Sequence, residues 1–296
     1  MAERIALIGA ETLLGREIEE VLTRSAQRPA ITPFAANGEG NFGSQDGEAV
    51  FVEPLAAAAI RGHRAIVVAG LAEGARKAYD LAKEISSPPR VIDCTSHLEN
   101  EPEARIVASA QPPSAWLLIV PHPAALAIAQ VLRKLSASRQ IARCIATVLE
   151  PASERGQAGI TELQQQTASL LAFKPLDKKI FDAQLSFNLL PQYGEDAPVK
   201  LGDIERRIER HIATLLDQPS MPSLRLVQAP VFHGYSISLW VQFETDASAA
   251  ALAKGLASAG IDVGRRFEIR AAHIDSGRGQ SFGQSGGARI RLKLDP

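Results

Sequence analysis

The stretch LLIVPHPAALAIAQVL at residues 117–132 joins an apolar strand to an amphipathic helix through a turn that contains Pro121 and Pro123. An apolar run of strand length followed by apolar residues at helical spacing is typical of one strand–helix unit of an α/β sheet. The proline at position 123 has no atom that can attack a carbonyl carbon. The stretch therefore predicts an α/β architecture and argues against nucleophilic chemistry at this position.

Towards the amino terminus, short apolar strands alternate with helical segments. Strands are predicted at 4–8, 31–35, 65–69 and 90–93, and helices at 16–23 and 74–85. The run Ala65–Ala69 is apolar throughout, which suits a strand covered on both faces. This alternation predicts a Rossmann-like, doubly wound parallel sheet, which we assign to residues 1–123. Ligands of such sheets bind beyond the carboxyl ends of the strands.

The second half of the chain has a different pattern. Strands are predicted at 140–149, 224–227, 235–244 and 289–294, and helices at 160–171, 201–216 and 248–258. The segment Tyr235–Glu244 alternates strongly between apolar and polar residues, as a strand with one buried face does. Few helices separate these strands, so we predict an α+β domain with a mixed or largely antiparallel sheet at residues 124–296.

Composition excludes several classes of function. The net charge of −1 provides no field that would draw the chain to nucleic acid or to an anionic membrane. No apolar run reaches the roughly 18–20 residues that a membrane span needs, and the amino terminus is predicted to be a strand and not a signal peptide. Two cysteines, Cys94 and Cys144, are too few for a disulfide scaffold, so a cytoplasmic location is expected. Neither they nor the histidines have the spacing of a zinc site, so we expect no metal.

The turn between the first strand and the first helix, GAETLLG at residues 9–15, is an incomplete dinucleotide-binding fingerprint. Gly9 and Gly15 satisfy its outer positions, where a tight turn brings the helix amino terminus towards a pyrophosphate. The middle position holds Thr12, whose hydroxyl would either donate to a phosphate or cap the helix. The glycines would also be required by the strand–helix turn alone, without any ligand.

Two neighbouring features weigh against a cofactor. Glu11 places a negative charge beside the expected phosphates, and Ala35–Gly38 offers neither an arginine for a 2′-phosphate nor an acid for a ribose. NADP or NAD therefore remains a candidate cofactor with weak support. The residues expected to bind it are Gly9, Thr12, Leu13, Leu14, Gly15 and Ser96.

Several segments resemble, in order along the chain, segments of the aspartate-semialdehyde dehydrogenase family. After the glycine turn these are VIDCTS at 91–96, VPHPAA at 120–125, QAGITEL at 157–163, FNLLPQ at 187–192 and APVFHGYS at 229–236. The resemblance implies that residues 124–296 form a semialdehyde dehydrogenase-type dimerisation domain and that the chain is a homodimer. It also implies NADP as cofactor and a link to amino-acid biosynthesis from aspartate. The final helix of the family is expected to be absent, because the chain stops after RIRLKLDP at 289–296.

The same resemblance implies that the catalytic residues of the family have been replaced. Its cysteine nucleophile corresponds to Pro123, and its histidine base to Tyr235, whose ordinary pKa near ~10 makes it a poor base at neutral pH. The glutamine that follows a family strand corresponds to Glu150, and an anion-binding arginine corresponds approximately to Glu99. We therefore expect no catalytic residue and interpret the chain as a pseudoenzyme.

Two functional hypotheses follow. In the first, the chain is a non-catalytic relative that acts by binding or dimerisation, either with itself or in a heteromer with an active paralogue. In the second, it is an active NADP-dependent oxidoreductase with an altered site or substrate, for which Cys94 at the end of a parallel strand is the candidate nucleophile. A thiol needs a lowered pKa for that role, and the alternative is that Cys94 only packs as a small apolar residue.

Overall fold

The computed structural model of the chain divides into two compact units, Met1–Pro121 and His122–Pro296. It describes residues 3–39, 41–45, 48–52, 54–108, 114–137, 139–216, 221–245, 248–258, 267–272 and 287–294. The domain boundary predicted from the sequence follows residue 123, whereas this division follows residue 121. Over the described ranges, no helix has both the length and the apolar character that crossing a membrane requires.

The elements of the first unit follow one another in a strand–helix alternation. They are β1 Arg4–Ile8, α1 Leu13–Arg24, β2 Ala30–Phe34, β3 Asn41–Gln45, β4 Glu48–Val52, α2 Ala57–Ile60, β5 Ala65–Val68, α3 Ala72–Lys83, β6 Arg90–Asp93, β7 Ala104–Ile106 and β8 Leu117–Ile119. The main sheet has the order β2-β1-β5-β6-β8-β7 and every neighbouring pair is parallel. The doubly wound parallel sheet predicted from the sequence is confirmed.

The core of the first unit shows why its strands are apolar on both faces. In β1, Ile8 belongs to the cluster that includes α3, and the preceding Leu7 belongs to a cluster that includes Ile18 of α1. Successive side chains of a strand point to opposite faces, so helices on both faces require a continuous apolar run. The hairpin of β3 and β4, the edge strand β7 and the short helix α2 were not predicted. β7 and α2 have only three and four residues, and β3 (NFGSQ) lacks the apolar run that marks β1 and β6.

The second unit begins with helix α4 and is built on a different sheet. Its elements are α4 Pro123–Ser136, β9 Ile141–Glu150, a 3₁₀ turn Ala152–Arg155, α5 Gly156–Leu171, α6 Leu201–Leu216, β10 Ser223–Gln228, β11 Tyr235–Phe243, α7 Ala249–Ser258, β12 Phe267–Ala272 and β13 Gly287–Leu294. The sheet order is β10-β9-β11-β13-β12, with β9 and β10 parallel and the other pairs antiparallel. The predicted mixed sheet is confirmed, and β12 is a strand that the prediction lacked.

A long irregular segment, residues 172–200, is held by two buried side chains of α5, Glu162 and Gln166. The carboxylate of Glu162 accepts from the Ile180 amide at 2.6 Å. The side chain of Gln166 bonds four backbone groups, at Asp177 O, Ala183 O, Leu185 N and Ser186 N. These bonds satisfy polar backbone that regular secondary structure does not pair.

Candidate functional site

His122 forms the hydrogen bonds that hold the turn into α4. In this turn the sequence resembles the family's nucleophile segment. His122 Nδ1 accepts from the Ala124 amide at 3.2 Å, so the side chain caps the helix, and the His122 amide donates to Nδ1 of His211 at 2.9 Å. An imidazole nitrogen that accepts an N–H carries no proton, so the proton of the neutral His122 ring lies on Nε2. Burial, reinforced by His211, Arg155 and Arg207, lowers the pKa of His122 to about 3.

Tyr235 lies against this imidazole. Its hydroxyl is 3.5 Å from His122 Nε2, and the two rings meet edge to face with centroids 5.9 Å apart. Glu154 Oε2 is 4.0 Å from the same Nε2. Burial raises the pKa of Tyr235 well above its ordinary value, and the negative charges of Glu154 and Glu150 raise it further. The phenol therefore stays protonated at neutral pH and cannot serve as a general base.

Glu150 ends β9 and is fully buried. Its Oε1 accepts from Arg155 at 3.0 Å, while its Oε2 and Arg155 Nε have no hydrogen-bond partner within the described part of the chain. Burial raises the pKa of Glu150 to about 7, against the opposing attraction of Arg155. The neighbouring Gln228 donates to the Glu150 carbonyl at 2.9 Å and accepts from the Tyr193 hydroxyl at 2.6 Å.

No thiol in the chain is activated. Pro123 is the first residue of α4 and is exposed, so this position presents only a pyrrolidine ring. Cys144 is buried in β9, and burial raises its pKa to about 12. Cys94 follows β6, and burial together with the Asp93 carboxylate raises its pKa to about 12. Both thiols are therefore protonated at neutral pH, and a protonated thiol is a weak nucleophile.

In the first unit, the glycines of the turn after β1 are required by packing. A Cβ on Gly9 would lie 2.5 Å from Gly70 Cα, and one on Gly15 would lie 2.0 Å from Gly9 O. The hydroxyl of Thr12 accepts from the Gly15 amide at 2.9 Å and lies 2.8 Å from Gly9 O and 2.9 Å from Ala69 O. Thr12 is therefore an N-cap, and its hydrogen is used within the turn.

The remaining residues expected to bind a cofactor lie at two turns of the same unit. The amides of Leu13 and Leu14, in the first turn of α1, have no hydrogen-bond partner among the described residues. Ser96 is buried with φ of +61°, in a turn where the Asp93 carboxylate accepts from the Leu98 amide at 2.8 Å. Free amides at a helix start suit an anion, so this turn fits a pyrophosphate.

Sequence reasoning missed two parts of these sites. His211 and Tyr193 were not singled out as partners of the His122 and Glu150 groups, because they lie far away in sequence on segments that looked like an ordinary helix and loop. Glu11 was noted only as a repulsive charge, yet its carboxylate bonds the Ala36 amide at 2.7 Å. The contact joins residues 25 positions apart, and no local pattern signals it.

The chain was compared with known proteins. Residues 132–272 match the model of the semialdehyde dehydrogenase dimerisation domain. A USG-1 protein homolog from Pseudomonas aeruginosa is 35% identical over 160 residues, which cover 53% of this chain and about half, 47%, of the relative. A USG-1 protein homolog from Azotobacter vinelandii is 27% identical over 251 residues, which cover 80% of this chain and 73% of that protein.

Among solved structures, the aspartate semialdehyde dehydrogenase II of Vibrio cholerae, complexed with ASA, has the same fold. Its TM-score is 0.79 at 21% identity, over 100% of this chain and 93% of the enzyme. Residues 132–272 therefore resemble the semialdehyde dehydrogenase dimerisation domain, and the chain is similar in sequence to USG-1 protein homologs and in fold to an aspartate semialdehyde dehydrogenase.

Proposed function

We propose that this chain is a semialdehyde dehydrogenase-like protein that does not catalyse the aspartate-semialdehyde dehydrogenase reaction and acts by binding or by dimerisation. One observation carries the proposal: Tyr235 and Glu150, which correspond by resemblance to polar site residues of the family, are engaged by other buried side chains. His122 faces Tyr235 and caps its own helix, and Glu150 is paired with Arg155. Such a network stabilises a fold, but it holds no group ready to attack or deprotonate a substrate.

The reaction of an aldehyde dehydrogenase that uses a thiol makes specific demands. A thiolate forms a thiohemiacetal with the aldehyde, a base removes the thiol proton, and hydride leaves for the cofactor. Position 123 has no sulfur, and Tyr235 is a buried phenol with a raised pKa. The thiols of Cys94 and Cys144 have pKa values raised to about 12, which does not support a displaced nucleophile.

Dimerisation through the second unit is the binding function that we propose. Residues 132–272 match a family whose description names dimerisation. The described part of this range also exposes several large apolar side chains that a partner could cover. They include Leu171, Phe173, Phe187, Leu189, Val231 and Phe232. The partner we propose is a second copy of the chain, with a heteromer containing an active paralogue as the alternative outcome.

A second candidate function is a working oxidoreductase with a changed substrate. The observation that favours it is the glycine turn, where two free amides and two close-packed glycines remain suited to a pyrophosphate. The candidate nucleophile in this reading is Cys94, and its raised pKa argues against it.

The test is an assay of the purified full chain with aspartate semialdehyde and phosphate, with NADP and with NAD in separate reactions. An active aspartate-semialdehyde dehydrogenase serves as the positive control. We expect no formation of reduced cofactor by the wild-type chain or by Cys94→Ser. Phosphate-dependent reduction by the wild type that Cys94→Ser abolishes would overturn the proposal and establish the oxidoreductase.

A further inference from the structure

The carboxylate of Glu11, a residue of the turn after β1, contacts the backbone at the end of the neighbouring strand β2. The Ala36 amide donates to Glu11 Oε1 at 2.7 Å, and the Ala36 carbonyl accepts from the Leu71 amide at 2.9 Å. Because β1 and β2 are neighbours in the sheet, the glycine turn after β1 places the Glu11 carboxylate beside the end of β2. Its second oxygen, Oε2, is buried and has no partner in the part of the chain that the structure describes.

In a doubly wound sheet, the end of the second strand forms part of the dinucleotide site. A dinucleotide places its pyrophosphate at the helix start after the first strand and its adenosine ribose at the end of the second strand. An acid at the second strand accepts hydrogen bonds from the ribose hydroxyls, whereas a 2′-phosphate needs a cation or free donors there. The free amides of Leu13 and Leu14 fit the pyrophosphate, but Glu11 already holds the Ala36 amide.

The adjacent cavity has the charge pattern of a site for an unphosphorylated nucleoside. It has a volume of about 750 Å³ and is lined by Asn37, Glu39, Leu71, Glu73, Arg76, Lys77, Asp80 and Leu81. Its two cations are paired with protein oxygens: Lys77 with Glu39 and the Gly38 carbonyl at 3.0 and 2.9 Å, and Arg76 with Glu101 and Asp80. The lining therefore offers three acids and no cation that is left unpaired among the described residues.

From these contacts we infer that Glu11 excludes a 2′-phosphate from the end of β2, so that the chain accepts NAD and rejects NADP. The carboxylate occupies the backbone donor that a phosphate would need, and its charge repels a phosphate dianion at close range. The inference concerns the first unit only and does not depend on whether the second unit is catalytic.

Calorimetric titration of the full chain with NAD and NADP tests the inference. The variants are Glu11→Ala, which removes the carboxylate, and Glu11→Gln, which keeps an acceptor for the Ala36 amide but removes the charge. Glu17→Ala is the control, because Glu17 is an exposed acid of α1, the helix that follows the turn. The melting temperature of each variant is measured alongside to show that it is folded.

We expect the wild type and Glu17→Ala to bind NAD at least about tenfold more tightly than NADP, and both Glu11 variants to bind NADP about tenfold more tightly than the wild type does. Two results overturn the inference: a wild type that binds NADP as tightly as NAD, or folded Glu11 variants whose affinity for NADP is unchanged, including undetectable throughout. Neither result bears on the proposed lack of catalysis, which the enzymatic assay decides.

Discussion

The imidazole of His122 uses one nitrogen to cap α4 and turns the other towards Tyr235 and Glu154. A second proton would have to enter at Nδ1, where the Ala124 amide already donates. The lowered pKa of His122 and the raised pKa of Glu150 have the same main cause, which is burial that disfavours the charged form of each group. At the scale of single residues, the side chains of His122 and Glu150 are engaged in contacts that stabilise the fold.

Removing the His122 side chain tests this structural role. We expect His122→Ala to lower the free energy of unfolding by about 2–4 kcal/mol, because the helix cap and the buried contact with Tyr235 are both lost. His122→Asn keeps a capping acceptor and should lose less, while His233→Ala, at an exposed position, should change little. Urea denaturation at neutral pH measures all three, and an equal loss in the Ala and Asn variants would show that capping contributes nothing.

The raised pKa of Glu150 predicts how the free energy of unfolding depends on pH. Its pKa rises from 4.5 to about 7 on folding, so the folded state binds the proton more tightly between those values. Stability from this group is present near pH 5 and is lost as the pH rises through 7. His122 has the opposite sign, since its pKa falls to about 3 and folding is opposed below its ordinary value of 6.5.

The substitution Glu150→Gln isolates the contribution of Glu150 to the pH dependence of stability, because a neutral amide does not titrate. Relative to the wild type, we expect this variant to gain about 2–3 kcal/mol at pH 8 and the gain to disappear towards pH 5. Urea denaturation of both proteins across this range gives the difference directly. A difference that is constant with pH would mean that Glu150 has the same pKa in the folded and unfolded chain.

At the scale of elements, α5 positions a segment that has no regular structure of its own. Gln166 and Glu162 are buried on one face of the helix and bond the backbone between residues 177 and 186. The same segment continues to Phe187, which is exposed at φ of +63°. A side chain held outward in this conformation requires a fixed surrounding backbone, and the helix supplies it.

The substitution Gln166→Ala should loosen this segment. Four backbone groups lose their partner, so we expect hydrogen exchange of the Leu185 and Ser186 amides to accelerate by about one to two orders of magnitude. Gln165→Ala is the matched control, because the neighbouring Gln165 is exposed on the same helix. Exchange followed by mass spectrometry compares the two, and equal rates would show that Gln166 does not hold the segment.

At the scale of the whole molecule, two sheets of different kind serve two roles. The parallel sheet of the first unit brings the glycine turn and the end of β2 together, and the mixed sheet of the second unit carries the network around Glu150. The dimerisation that we propose belongs to the second unit, where residues 171–232 include several exposed apolar side chains. Phe173 is 97% exposed in the described structure, so its ring is almost entirely open to solvent.

We expect the full chain to sediment as a dimer and Phe187→Ser to weaken the dimer about tenfold or more, because a large aromatic would leave the interface. Val21→Ser, which changes an exposed apolar residue of α1, should leave the dimer intact. Analytical ultracentrifugation over a concentration series measures both. A monomeric wild type would contradict the dimer, whereas a dimer that tolerates Phe187→Ser would place the interface elsewhere.

Much of the fold could be predicted because its signals are local. β1 and β6 begin and end where the sequence predicted, at Arg4–Ile8 and Arg90–Asp93, since short apolar runs between turns identify buried strands. Helix α6 likewise matches its prediction at Leu201–Leu216, because its apolar residues recur at helical spacing. The strands β3, β4 and β12 were missed, because pairing with a neighbouring strand defines them more than their own composition does.

The sequence by itself determined the two sheet types and the absence of a nucleophile at Pro123, because periodicity and residue identity are written along the chain. Only the tertiary structure decided that Thr12 caps a helix, that His211 meets His122, and that Glu11 reaches the end of β2. Each of these facts is a hydrogen bond whose geometry depends on how the elements pack. Local sequence does not encode the distance between two groups that the fold brings together.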